Sequence, residues 1–215
     1  MNKPCLKFWF LATAIILGSA IFMIKLGAGF DSVGTPLVDT LSVYDWTKGN
    51  PSSKVVLIEY SDFQCPACAN YTKMIDKILN EFGGHIAFAY RHYPLQTIHK
   101  NAMYAAYAVE AAGMQNKFWE MHDTLFTYQK EWVSQVHPEE IFRKFAKGLS
   151  LDMEKFNLDY NARAIRKNVD LDIKSGKKND ITYTPTLFLN GKKIKNPKTY
   201  DEFRELIRNA IEENS

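Results

Sequence analysis

The stretch KVVLIEYSDFQCPAC, Lys54–Cys68, decides the fold. Val55 to Ile58 is an unbroken apolar run rich in β-branched side chains, which suits a strand covered on both faces and therefore central in its sheet. After a turn over Ser61–Asp62–Phe63–Gln64, Cys65 falls at a helix N-cap and Pro66 on the first helical position, where a missing N–H costs nothing. This places the Cys65 sulfur as the cap. The first N–H groups of a helix lack partners, and the macrodipole puts about half a positive charge there, so thiolate is favoured over thiol. A free thiol titrates near ~8.5, and such sites bring it to between about 3.5 and 7.5, which makes a nucleophile and a leaving group near neutral pH. Cys68 lies one turn further on the same side and is the expected resolving thiol. Cys65 is expected to be exposed and Cys68 buried. A static disulfide, half a zinc site or two unrelated core cysteines are the competing readings, and zinc is disfavoured because no second cysteine pair supplies its usual four ligands.

Outward from the motif, Tyr71, Ile75, Ile78 and Phe82 recur at helical spacing up to Gly83–Gly84, and His85–Arg91 alternates as a second strand. Strand, helix and strand make a βαβ unit. From His99 to Lys178 the pattern is helical and predicts four helices: an Ala-rich one over Asn101–Ala112, one carrying Phe118, His122, Leu125 and Phe126, one from Pro138 to Gly148, and a long one from Asp152 to Gly176. The last carries Leu158, Ala162, Ile165, Val169 and Ile173 as its stripe. Asn190–Gly191 is a strong hairpin signal between Thr186–Leu189 and Lys192–Ile194. Thr199 and Glu202 form a capping box before a closing helix with Phe203, Leu206, Ile207, Ala210 and Ile211 on its apolar side.

At the other end, Phe8 to Ile24 holds no charge, and Leu26–Phe30 continues apolar beyond Lys25. That exceeds the roughly 7–15-residue core of a signal peptide and predicts an uncleaved membrane anchor, with cleavage as the alternative. Lys3 and Lys7 precede the segment, so the positive-inside rule places the head in the cytoplasm and the remainder outside. An oxidising compartment agrees with a single cysteine pair in the exported part, leaving Cys5 as a bystander. The net charge of +3 points to no nucleic acid or acidic partner.

The motif with its preceding strand resembles the active site of the DsbA family of thioredoxin-fold thiol–disulfide oxidoreductases. RHYPL and FWEMHDTLF, within Tyr90–Phe126, resemble that family's helical insertion, and YTPTLFLNG, Tyr183–Gly191, resembles its cis-proline loop. The resemblance covers roughly residues 44–211 and implies an α/β thioredoxin fold with an inserted all-helical subdomain. The expected division is 1–30, head and membrane segment; 31–50, tether and edge element; 51–98 and 179–215, the two parts of the thioredoxin fold; and 99–178, the insertion. It further implies Cys65 and Cys68 as the redox pair, Glu59 as the acid that exchanges protons with the inner cysteine, and a cis Thr184–Pro185 bond. Pro66, Ala67, Thr184 and Pro185 would support the site and meet the substrate. Glu59 also stands out by itself, since a carboxylate ending an apolar central strand is partly buried and its pKa raised; its alternative is a strand-end charge reaching solvent. The family's usual histidine between Pro66 and Cys68 is replaced by Ala67, which removes a charge beside the thiolate. His85, His92, His99, His122 and His137 lack ligand spacing, and no metal or cofactor is expected.

The function implied is oxidation of dithiols in exported proteins, with folding cysteine-containing proteins as substrates and a membrane redox partner that reoxidises the pair. A reductase or isomerase shares every motif, and a tethered peptide-binding chaperone with an inert disulfide is the alternative from another class. The expected location is the cell membrane, single-pass with the catalytic domain outside, or the periplasm or exterior after cleavage.

Overall fold

The apolar run that opens at Val55 is strand β2 (Val56–Ser61), and its neighbours on both sides make it central as its composition demands. The computed structural model describes residues 41–215, so the expected membrane segment and Cys5 lie outside the described residues. The other strands are β1 (Trp46–Gly49), β3 (Ala87–His92), β4 (Thr186–Leu189) and β5 (Lys192–Lys193), in the order β1-β3-β2-β4-β5. β2 and β3 run parallel, with Glu59 opposite Tyr90, and the remaining pairs are antiparallel. The ladder to β3 carries β2 three residues past Ile58, and the ladder to β4 two. Glu59 is therefore within the strand rather than at its end.

The parallel pair is joined by helix α1 (Pro66–Phe82), which buries Cys68, Thr72, Ile75 and Ile78. Helix α8 (Tyr200–Glu213) packs beside it, contributing Phe203, Ile207 and Ala210. Side chains alternate across the sheet, so Leu57, Phe88 and Tyr90 belong to the core under these helices, while Ile58, Tyr60, Ala89 and Phe188 form a second core with Ile181. Thr199 caps α8 by accepting from Glu202 N at 3.2 Å, but the Glu202 carboxylate reaches Lys198 N rather than closing the box on Thr199. Asn190 and Gly191 both have positive φ, 49° and 76°, as a two-residue hairpin requires.

Between β3 and β4 the described chain forms six helices rather than four: α2 (Ala102–Gly113), α3 (Phe118–Thr127), α4 (Gln129–Trp132), α5 (Pro138–Gly148), α6 (Met153–Asn161) and α7 (Arg163–Lys178). The expected long helix does start at Asp152, whose carboxylate accepts from Lys155 N at 3.0 Å, but it breaks at Ala162 (φ −69°, ψ 141°). The reason is geometric. Phe156 and Ile165 are nine residues apart, as are Tyr160 and Val169, and at about 3.6 residues per turn such pairs lie on opposite faces of a straight helix. The break lets all four be buried and leaves Leu158 exposed, outside the stripe assigned to it. Gly176 does not end the helix. It sits within α7, where a Cβ would lie 2.4 Å from two ring carbons of Tyr93. Among the described residues, no helix is long and apolar enough to cross a membrane.

Candidate active site

The end of β2 is turned into α1 by Asp62. Its buried carboxylate accepts from Gln64 N (2.7 Å) and Leu95 N (2.8 Å) and meets His99 Nδ1 at 2.7 Å. Its own carbonyl takes the Cys65 N–H at 3.0 Å. Cys65 therefore enters the N-cap position extended (φ −74°, ψ 121°), with Pro66 opening the helix.

The sulfur itself departs from expectation in two ways. It makes no capping hydrogen bond, its thiol donating instead to the Thr184 carbonyl at 3.4 Å, and Cys65 is only 8% exposed. Both follow from the Thr184–Pro185 loop, whose peptide bond is cis and which lies across the helix N-terminus. Cys68 is wholly buried, and the two are present as free thiols. Pro66 and Ala67 form the exposed lip of the site.

The two thiols are electrostatically unequal. A hydrogen bond from the Cys68 thiol is the largest influence on Cys65; together with the amides of Cys68 and Ala67 and the nearby Thr184 hydroxyl, it overcomes burial and lowers the pKa from 9.0 to about 5. Cys68 is pushed well above 9.0, first by burial, then by its donation to Cys65 and by the charge of Glu59. Glu59 is 1% exposed, and burial raises its pKa from 4.5 to about 8, partly opposed by the neighbouring Ser61 hydroxyl. The Glu59, Ser61 and Tyr90 side chains share the sheet face under α1, and each keeps a buried oxygen without a hydrogen-bond partner. Glu59 is thus more deeply buried than a partly covered strand-end carboxylate.

The structure brings together Cys65, Pro66, Ala67, Cys68, Glu59, Thr184 and Pro185. Of the histidines, His92, His99 and His122 each face a carboxylate, Glu110, Asp62 and Asp123 respectively. Sequence reasoning missed Asp62, Gln64, Asn101 and Gln129. Asp62 could have been found as the start of an Asx turn two residues before Gln64. Gln129, which donates to the carbonyls of Phe63 and Cys65, carries no local signal because its partners are more than sixty residues away.

A model of the thioredoxin family matches residues 42–209. The oxidised BdbD from Bacillus subtilis superposes with a TM-score of 0.71 at 25% identity, covering 84% of this chain and 97% of that one. Alpha-DsbA1 from Wolbachia pipientis gives the same TM-score at 20% identity, covering 83% and 96%, a likeness of fold. A protein of Mycolicibacterium gilvum named Na(+)/H(+) antiporter NhaA 1 is 36% identical over 157 residues, 71% of this chain but 24% of that protein. The chain thus spans about a quarter of the length of the curated relatives it matches. Fold and site define a thioredoxin-fold chain with a paired-cysteine site at a helix N-terminus and a helical insertion of the DsbA type. The chain belongs to the thioredoxin family.

Proposed function

We propose that this enzyme oxidises dithiols in exported proteins, the reading supported above all by the inequality of its two thiols. In the oxidised pair, a substrate thiolate attacks Cys65 and the Cys65–Cys68 bond breaks. Cys68 leaves, and its high pKa means that it takes up a proton at once. Glu59, with its pKa raised to about 8, is neutral at pH 7 and supplies that proton as a general acid. A second substrate thiolate then attacks the substrate sulfur of the mixed disulfide, and Cys65 departs as the stabilised thiolate. Two electrons have passed from the substrate to the pair. Thr184 and Pro185, across the Cys65 sulfur, hold the substrate backbone, while Pro66 and Ala67 meet its side chains. A membrane redox partner reoxidises the dithiol. Residues 1–30 anchor the chain with this domain outside the cytoplasm, where cysteine-containing substrates fold.

The test mixes the oxidised protein with a reduced two-cysteine peptide. The expected result is one peptide disulfide per protein reduced and no reaction with Cys65→Ser; reduced Cys68→Ser, given the peptide in its disulfide form, should attack it through Cys65 and hold a mixed disulfide as one peptide thiol is released. A pair that stays oxidised in the presence of the peptide would mark an inert disulfide and the binding-protein alternative.

A further inference from the structure

We infer that Gln129, on the helical insertion, is a positioning residue that keeps the Cys65 thiolate stable; the inference deepens the function proposed above and rests on Cys65 being its nucleophile. The side-chain amide of Gln129 donates to Phe63 O at 2.8 Å and to Cys65 O at 3.0 Å. These carbonyls flank the nucleophile on either side along the chain. The peptide units around Cys65 are otherwise held from within: Cys65 N donates to Asp62 O at 3.0 Å, and Gln64 N to the Asp62 carboxylate at 2.7 Å. The Cys65–Pro66 unit has no N–H, because Pro66 lacks one, so only its carbonyl can be gripped. Within α1 that carbonyl receives a long bond, 3.3 Å, from Ala69 N. Gln129 supplies the shorter one.

The orientation that results is the one the thiolate uses. The amides of Ala67 and Cys68 lower the Cys65 pKa only while the first turn of α1 is aimed at the sulfur, which depends on the Cys65 dihedrals that these contacts fix. The amide group of Gln129 also brings the positive end of its dipole to the two carbonyls, whose negative ends lie beside the sulfur's own residue. A second set of contacts binds the same two segments without touching Cys65. The Gln64 side chain donates through Nε2 to Val133 O at 3.0 Å and accepts from Asn101 N at 2.8 Å, and Asn101 Nδ2 in turn holds Gln135 O at 2.9 Å within the insertion. The insertion is therefore stapled to the motif twice, and only one staple holds the nucleophile's own backbone.

The experiment compares Gln129→Met, which keeps volume and removes both donors, with Gln129→Glu, which keeps shape and places a carboxylate against the carbonyls, and with Asn101→Ala, which weakens the other staple. Cys65 thiolate absorbance against pH and the glutathione redox equilibrium are read on each folded full-length protein. The Cys65 pKa should rise in the order wild type, Gln129→Met, Gln129→Glu, by about one unit for the first variant, equivalent to about tenfold in thiolate stabilisation. The redox equilibrium should become less oxidising in the same order. Asn101→Ala should lower thermal stability without moving the pKa. If Gln129→Met melts lower but keeps the wild-type pKa, or if Asn101→Ala moves it equally, Gln129 is a structural staple only. A wild-type Cys65 that already titrates near 8.5 would instead overturn the proposed nucleophile itself, so the two failures are distinguishable.

Discussion

At the scale of single residues, the site works by separating two chemically identical thiols. Cys65 should titrate near 5 by thiolate absorbance and Cys68 should resist alkylation; a Cys65 pKa near ~8.5, or faster labelling of Cys68, would contradict this. The depressed Cys65 pKa also stabilises the reduced fold, with a sign that can be stated. That contribution is complete above the ordinary value of 9.0 and is lost as pH falls through about 5. The excess stability of the dithiol form over the disulfide form, measured by denaturant unfolding, should therefore narrow on acidification through that range. Glu59 has the opposite sign. Its pKa is raised from 4.5 to about 8, so its protonated form belongs to the fold, and the contribution is whole below 4.5 and disappears as pH rises through about 8. Glu59→Gln should thus flatten the alkaline loss of stability. It should also slow mixed-disulfide formation, the step in which Cys68 gains a proton, more than substrate release. Stopped-flow rates that change equally for both steps, or not at all, would reduce Glu59 to a buried charge without a proton-transfer role.

At the scale of elements, Gly176 marks where helix α7 approaches the sheet. The Tyr93 ring that a Cβ would strike is tied by its hydroxyl to Ile181 O at 2.7 Å, so it has little freedom to swing away. Gly176→Ala should cost about 1–3 kcal/mol, the usual penalty for overpacking, read as a lower denaturation midpoint with the Cys65 pKa unchanged. A neutral effect would mean that α7 shifts freely on the sheet. The contrast between α1 and α7 explains what was legible beforehand. β2 and α1 announce themselves because β-branched residues, Pro66 and Gly83 act within a few residues of where they stand. The break at Ala162 has no Pro or Gly to signal it; it arises because Phe156 and Ile165 must both reach the core, a demand set by packing. The site divides in the same manner. Cys65, Cys68, Glu59 and Pro185 were readable from local pattern and resemblance, whereas the cover over the sulfur and the grip of Gln129 come from segments distant in the chain.

At the scale of the whole molecule, the question is the direction of electron flow. An oxidant is a pair whose reduced form is the stabilised one, and each contact that lowers the Cys65 pKa moves the equilibrium that way. The Cys68 thiol, then the helix amides and the Thr184 loop, supply that stabilisation, while the Ala67 side chain contributes no charge. Ala67→His should accordingly become more oxidising and lower the Cys65 pKa further, an outcome read from the same absorbance titration. The measurement that tests the central claim most directly is the redox equilibrium of Cys65–Cys68 in glutathione buffers, paired with trapping of its redox state in cells. The predicted potential lies between about −120 mV, that of the strong oxidants, and about −270 mV, that of thioredoxin, with the trapped protein mainly disulfide. A potential at or below about −270 mV with the trapped form mainly dithiol would mean that electrons flow outward from the pair, as in a reductase.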